Sequence, residues 1–323
     1  MPFSLRTLLL VLSVALSFCP SPARAGVGRL NVPAGTQEII DKIYAFDLDE
    51  AAEAARKMQA EQPEHPLGYL LEGEALWWRI WCTSADYKWG MVDARHRQKL
   101  PADQHYFDLA TKAYARAHAQ IERGDSAEMQ LYAGMADALA ARLYGLRGEN
   151  RATARVGVRA RQSFLRAHEL DPALADADLG LGLYNYYVDT LSSIAKMLRF
   201  FMGIPGGSKQ DGLRQLENAI AHGELTPTLA RVYLSLNLHR YDQHYAQAIR
   251  ALDPAADKYP SNPLLQLMLG DLHAKLGHRE QAVRHYRNAT ALPVADAACR
   301  ARIEALAAAA TATLNALDVS RKN

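Results

Sequence analysis

The side chains of this sequence with chemical potential are eleven histidines, three cysteines and a few carboxylate clusters. His239 pairs in sequence with His244, and His278 with His285. No His-Glu-x-x-His occurs, and steps of five and seven residues do not place both rings ideally on one helical face for a shared ligand, so these read as solvated surface histidines. No Gly-x-Ser-x-Gly nucleophile turn is present. Asp47-Leu48-Asp49-Glu50 and Asp176-Ala177-Asp178 stand where helices are expected to begin. There carboxylates cap N–H groups and meet the positive dipole end. Gly203 to Lys209 has the glycines of a phosphate loop but not its Gly-x4-Gly-Lys-Ser/Thr order; Ser208 precedes Lys209, and no strand leads in. A helix end followed by a turn accounts for those glycines. Gly180-x-Gly182 lacks the third glycine of a dinucleotide fingerprint. No Cys-x-x-Cys or Cys/His metal spacing exists. The reading is no enzyme, no cofactor and no metal.

Length and charge narrow the field further. The 323 residues carry 37 Lys+Arg against 35 Asp+Glu and are 49% hydrophobic. Arg6 and Arg24 have no acidic residue near them in the first 25 positions, so loss of that segment leaves 35 charges of each sign. A neutral chain lacks the electrostatic term that dominates non-specific nucleic-acid binding, and nucleic acid is excluded as a main partner. Arg6 precedes an apolar run from Leu8 to Phe18, then Pro20, Pro22 and Ala23-Arg24-Ala25. That pattern is a secretory signal, with cleavage expected after Ala25. The run is shorter than the roughly 20 residues of a membrane span. Lipidation at Cys19 is disfavoured by the bulky Phe18 before it. The protein is therefore expected to be exported, periplasmic or envelope-associated, with residues 26–323 forming one domain. Cys82 and Cys299 are expected to be unpaired, because residues so distant in a repeat array seldom meet.

The elements come from a repeat. Ala248, Leu252, Ala255 and Ala282, Tyr286, Ala289 share a small-x3-bulky-x2-Ala pattern 34 residues apart. Related triples stand at Ala51, Ala55, Met58; Ala110, Tyr114, Ala117; Ala160, Phe164, Ala167; and Gly212, Leu216, Ala219. Pro63, Pro172 and Pro260 close three of the units. Small residues let two helices approach, and the bulky residue four places on fills the groove between them. These features, with Gly270 in Leu267-Met268-Leu269-Gly270, resemble the tetratricopeptide repeat, a 34-residue helix-turn-helix. The resemblance, to secreted bacterial proteins of this type, implies an all-α solenoid of about six hairpins ended by an alanine-rich capping helix, roughly 295–317. Residues 180–216, from Gly180-Leu181-Gly182-Leu183-Tyr184-Asn185 to Gly212-Leu213-Arg214-Gln215-Leu216, are also similar to the tetratricopeptide family of inclusion-body-clearance proteins.

Three hairpins are longer than the standard. The step from helix A to helix B is 12 residues in the first and last two hairpins. It is 37 from Gly73 to Ala110, 26 from Gly134 to Ala160 and 30 from Gly182 to Gly212. Every insertion thus falls between helix A and helix B, and all should project from one elaborated edge; lengthened helices are the plainer alternative, above all for the second. The first holds Trp77, Trp78, Trp81 and Trp89, which would either pack their own helix or meet a partner. The third holds Met197-Leu198-Arg199-Phe200-Phe201-Met202, which would either fold back or touch a partner or a membrane surface through residues 194–204. The resemblance implies a groove lined by the A helices. Read residue by residue, that groove presents Glu74, Trp77 and Trp78; Tyr186 and Tyr187; Asn237, Arg240 and Tyr241; Asp271 and Lys275. The favoured function is a non-catalytic exported scaffold docking a protein or peptide. The alternative is a transport-associated accessory whose aromatic insertions enclose a lipid or small apolar ligand.

Overall fold

The computed structural model describes residues 29–84, 98–193, 196 and 203–322, with side chains described up to residue 316. Thirteen α-helices and no strand occur among the described residues. The helices are α1 (Thr36–Ala45), α2 (Leu48–Glu61), α3 (Leu67–Ser84), α4 (Ala102–Arg123), α5 (Ala127–Arg147), α6 (Asn150–Leu170) and α7 (Ala177–Thr190). After these come α8 (Lys209–His222), α9 (Pro227–Asn237), α10 (Tyr245–Lys258), α11 (Pro263–Lys275), α12 (Arg279–Ala291) and α13 (Ala297–Lys322). A short π-helical turn, Leu238–Asp242, extends α9. Odd and even helices pair from α1/α2 to α11/α12 as six antiparallel hairpins, each packing on its neighbours, and α13 covers the last. The architecture is the tetratricopeptide-like solenoid expected from the triples.

Local sequence sets the helix limits. Ser126 and Ser208 accept N–H bonds from Met129 and Asp211, and Asn262 accepts from Leu264 and Leu265. Such caps satisfy donors that the first helical turn leaves open. Pro227 and Pro263 sit in the first turn, where no N–H partner is lost. The 26-residue step is two 21-residue helices, α5 and α6, joined at Gly148 with φ 77°. This is the lengthened-helix expectation for that hairpin.

The triples are the seam of the stack. Ala51, Ala55, Ala110, Ala117, Ala160, Ala167, Ala219, Ala248, Ala255, Ala282 and Ala289 are all buried, as are Phe164, Leu216, Leu252 and Tyr286; Tyr114 is half-buried. Phe164 of α6 is wedged between Gly134 of α5 and Gly180 of α7, joining two hairpins. Gly270 makes the same room for Tyr286. One contiguous core runs from Leu30 to Ala310, so each hairpin depends on its neighbours.

The stack curves until its ends meet. Cys82 on α3 and Cys299 on α13 form a disulfide, with Cα atoms 5.3 Å apart. This corrects the expectation of unpaired cysteines: superhelical curvature brings the first hairpins beside the cap, which linear repeat spacing does not reveal. Tyr259 donates to Asp41 at 2.7 Å and Asn262 to the Tyr44 carbonyl at 2.9 Å, closing the same seam. No helix of the described residues is long and apolar enough to cross a membrane.

Candidate functional site

The A helices α3, α5, α7, α9 and α11 carry the residues expected to line a groove. In the first half of the solenoid these residues face one another and close the space. Glu74 accepts from Arg142 at 2.5 Å and from Trp78 Nε1 at 3.2 Å. The Arg142 guanidinium lies 4.9 Å over the Trp77 ring and reaches the Tyr233 hydroxyl at 3.4 Å. Trp78 meets Tyr44 and Trp81 edge-on at 5.7 and 5.4 Å. Burial pushes the phenols of Tyr44, Tyr106 and Tyr233 up, so they stay neutral in this hub.

Several expectations are corrected by this geometry. Trp77, Trp78 and Trp81 are 3%, 1% and 6% exposed, so they are core residues rather than partner contacts. Their position on the inner face of a strongly curved stack makes that face an interior. Glu74 is consumed by its ion pair, and Tyr186, Asn237 and Asp271 are buried as well. The Tyr186 hydroxyl donates to the Asn237 carbonyl at 3.1 Å and to Asp242 at 3.0 Å. Trp89, Phe200 and Phe201 lie outside the described residues, as do Ala23 and Ala25. Tyr187, Arg240 and Tyr241 remain half-exposed and Lys275 exposed. All four stand at the C-terminal ends of A helices, the edge from which the insertions leave.

That edge is built around two carboxylates. Asp189, ending α7, accepts from Lys196 Nζ at 2.9 Å and from the Lys209 backbone N–H at 3.0 Å, holding both ends of the 191–208 insertion. The Lys209 N–H and the Lys196 ammonium keep the Asp189 carboxyl below the usual range. Asp242, in the π-turn, is paired with Lys209 Nζ and is 4% exposed. Tyr187 lies edge-on to Tyr186 and Tyr241, at 6.0 and 6.1 Å, while Arg161 covers Tyr184. Gly207 is needed because a Cβ there would lie 2.7 Å from Asn185 Cα, a close approach beyond the turn expected for these glycines. The Asp189–Lys209–Asp242 lock escaped sequence reasoning. The Ser208 cap three residues before Asp211 was its one visible signal.

Other polar clusters tie hairpins together. Arg147 and Asp103 form a two-pronged buried pair at 2.6 Å between α5 and α4. Glu72 gathers Arg56, Gln59 and His105, and Asp178 gathers His168 and Asn218. Asp176 accepts three N–H bonds from residues 224–226 and one from the Thr226 hydroxyl. Ser235, His239 and Asp271 surround a cavity of about 10 Å³ between α9 and α11, with His239 Nε2 and Asp271 Oδ2 at 3.0 Å. These are the residue types of a hydrolytic triad, but the Ser235 hydroxyl is fully buried with no hydrogen-bond partner. The space holds about one water and no substrate. Among the described residues no group of three or more His, Cys, Asp or Glu is arranged to hold a metal.

No family model matches the chain, and no curated protein does. Among solved structures the chain is similar to one described as the crystal structure of the APC/C hetero-tetramer Cut9-Hcn1. The two share 12% identity at a TM-score of 0.36, over 85% of this chain and 49% of that one. This chain spans about half the length of that protein.

Proposed function

We propose that the protein is a non-catalytic, exported scaffold that docks another protein through the edge carrying its A-to-B insertions. The observation that carries this is the retention of half-exposed Tyr187, Arg240 and Tyr241 at that edge, with Lys275 exposed, while the inner face is closed. Tyrosine and arginine side by side are the residue types that anchor protein contacts. Arg240 supplies a half-exposed guanidinium next in sequence to the Tyr241 ring, suiting a segment with an apolar and an acidic part. Export, with residues 26–323 as the mature domain, is supported by the N-terminal apolar run and by the Cys82–Cys299 pairing. A disulfide persists in oxidising compartments and rarely in the cytosol.

The ligand-enclosing alternative loses its walls in the first insertion, because Trp77, Trp78 and Trp81 spend their surface on the protein itself. Two measurements on the purified mature protein separate the readings. Arg240→Glu should reduce capture of co-purifying protein while changing the melting temperature little. Unchanged capture by this variant, or lipid extracted at one molecule per chain, would overturn the docking reading.

A further inference from the structure

Three imidazoles gather where α11 turns into α12. His273 lies in the last turn of α11, Gly277 reverses the chain at φ 76°, and His278 is the residue before α12. The Nδ1 atoms of His273 and His278 stand 3.3 Å apart, with ring centroids at 5.5 Å. His285, two turns along α12, stacks on His273 at 5.2 Å with planes 7° apart. Its own Nδ1 is bonded to Gln266 Oε1 at 2.9 Å. Gln266 is buried on α11, so the stack backs His273 with a fixed wall. His278 is exposed, leaving the Nδ1 pair open to solvent from its side.

We propose that His273 and His278 form a two-imidazole chelate for a divalent transition cation of the zinc class. Tetrahedral zinc with Zn–N bonds of about 2.0–2.1 Å sets two nitrogen ligands about 3.3–3.4 Å apart, the separation this Nδ1 pair already has. Imidazole is the nitrogen donor suited to zinc, copper and nickel, whereas hard cations prefer oxygen. Both rings bind through Nδ1 and carry their hydrogen on Nε2, the second tautomer of neutral histidine. The five-residue step from His273 to His278 spans a turn rather than a single helix, so helical spacing alone does not reveal the pair. No third protein ligand completes a cluster among the described residues, so water fills the remaining positions. The exposed Arg284, whose charge acts on both His273 and His285, opposes a cation here and keeps the site a weak one. This inference does not rest on the docking reading.

The test uses the mature chain without a histidine tag, stripped with chelator and titrated with Zn²⁺ by calorimetry. Loss of an outer-shell group alone weakens metal sites about 10–100-fold, so losing either ligand should weaken binding about tenfold or more. His278→Gln, at an exposed turn, and His273→Ala are both expected to show this, while His222→Ala, remote and exposed on α8, binds as the parent. Cu²⁺ loaded in place of Zn²⁺ should give an electron paramagnetic resonance spectrum with two nitrogen ligands, falling to one in either variant. No zinc uptake, uptake unchanged in His278→Gln, or a copper spectrum unaltered by both substitutions would overturn the proposal.

Discussion

Gly180→Ala is the sharpest probe of how the hairpins interlock. A Cβ at Gly180 would fall inside the edge of the Phe164 ring, with Phe164 Cζ only 2.5 Å away against 3.4 Å or more for ordinary contact. The ring has nowhere to retreat, because its opposite edge faces Gly134, where a Cβ would meet it at 2.6 Å. Overpacking a tight core costs about 1–3 kcal/mol, and a ring held on both sides belongs at the upper end. Replacing glycine by alanine in a helix returns up to about 1 kcal/mol. The expected net loss is about 2 kcal/mol. Phe164→Ala alone should cost about 3–5 kcal/mol. In that background the clash is gone, so Gly180→Ala should stabilise by up to about 1 kcal/mol, and the two sites couple by about 3 kcal/mol. Urea denaturation of the four proteins, read as midpoints at constant slope, measures this cycle. Phe164→Leu replaces Phe164→Ala if the latter does not fold. An alanine at 180 that stabilises the parent, or shifts both backgrounds equally, would refute the wedge and the hairpin packing that depends on it.

Three further outcomes follow from the same geometry. Iodoacetamide should label neither Cys82 nor Cys299 in the native protein before reduction and both after it; reduction should lower stability by up to about 5 kcal/mol, since the pair closes a 217-residue separation. Labelling of either thiol without reductant counts against the closed stack. Arg147→Ala should cost about 3–5 kcal/mol by leaving Asp103 buried without its partner, whereas Asp103→Asn with Arg147→Met should recover much of that loss; equal losses would show that the charge itself is immaterial. Burial, then the charges of His273 and Arg284, hold His285 down at about 4, and burial also lowers His65 and His273. A histidine whose folded value lies below its unfolded one binds protons more readily when unfolded. Stability should therefore be full above the unfolded value near 6.5 and fall as pH drops towards 4. His285→Asn should flatten this slope in melting curves taken across that window, and an unchanged slope would remove His285 from the explanation.

Much of the fold was legible because burial of small residues leaves a periodic trace. Ala248-x3-Leu252 and Ala282-x3-Tyr286 announce helices that must bury one side against a neighbour, and all four residues are buried. The insertions could be placed on one edge because each lies between a Gly-equivalent and the next triple. Curvature was not legible. A small rotation per hairpin accumulates over six of them, and its sum decides whether Trp78 faces a groove or Tyr44, and whether Cys82 meets Cys299. No local pattern records that sum. The same reason explains the site: Tyr186 and Tyr187 are neighbours of one type, yet one is sealed against Asn237 and Asp242 while the other stays half-exposed. The Nδ1 pair of His273 and His278 depends on the positive φ of Gly277, which spacing along a helix does not represent.

Photo-crosslinking in the cells that make the protein tests the docking edge most directly. A photoreactive residue replacing Arg240 is expected to give a discrete protein adduct on irradiation, and one replacing Arg214, whose side chain is 74% exposed on α8, none. Adducts from position 214 but not from 240, or from neither while the protein is present and folded, would contradict the assignment of that edge to a partner.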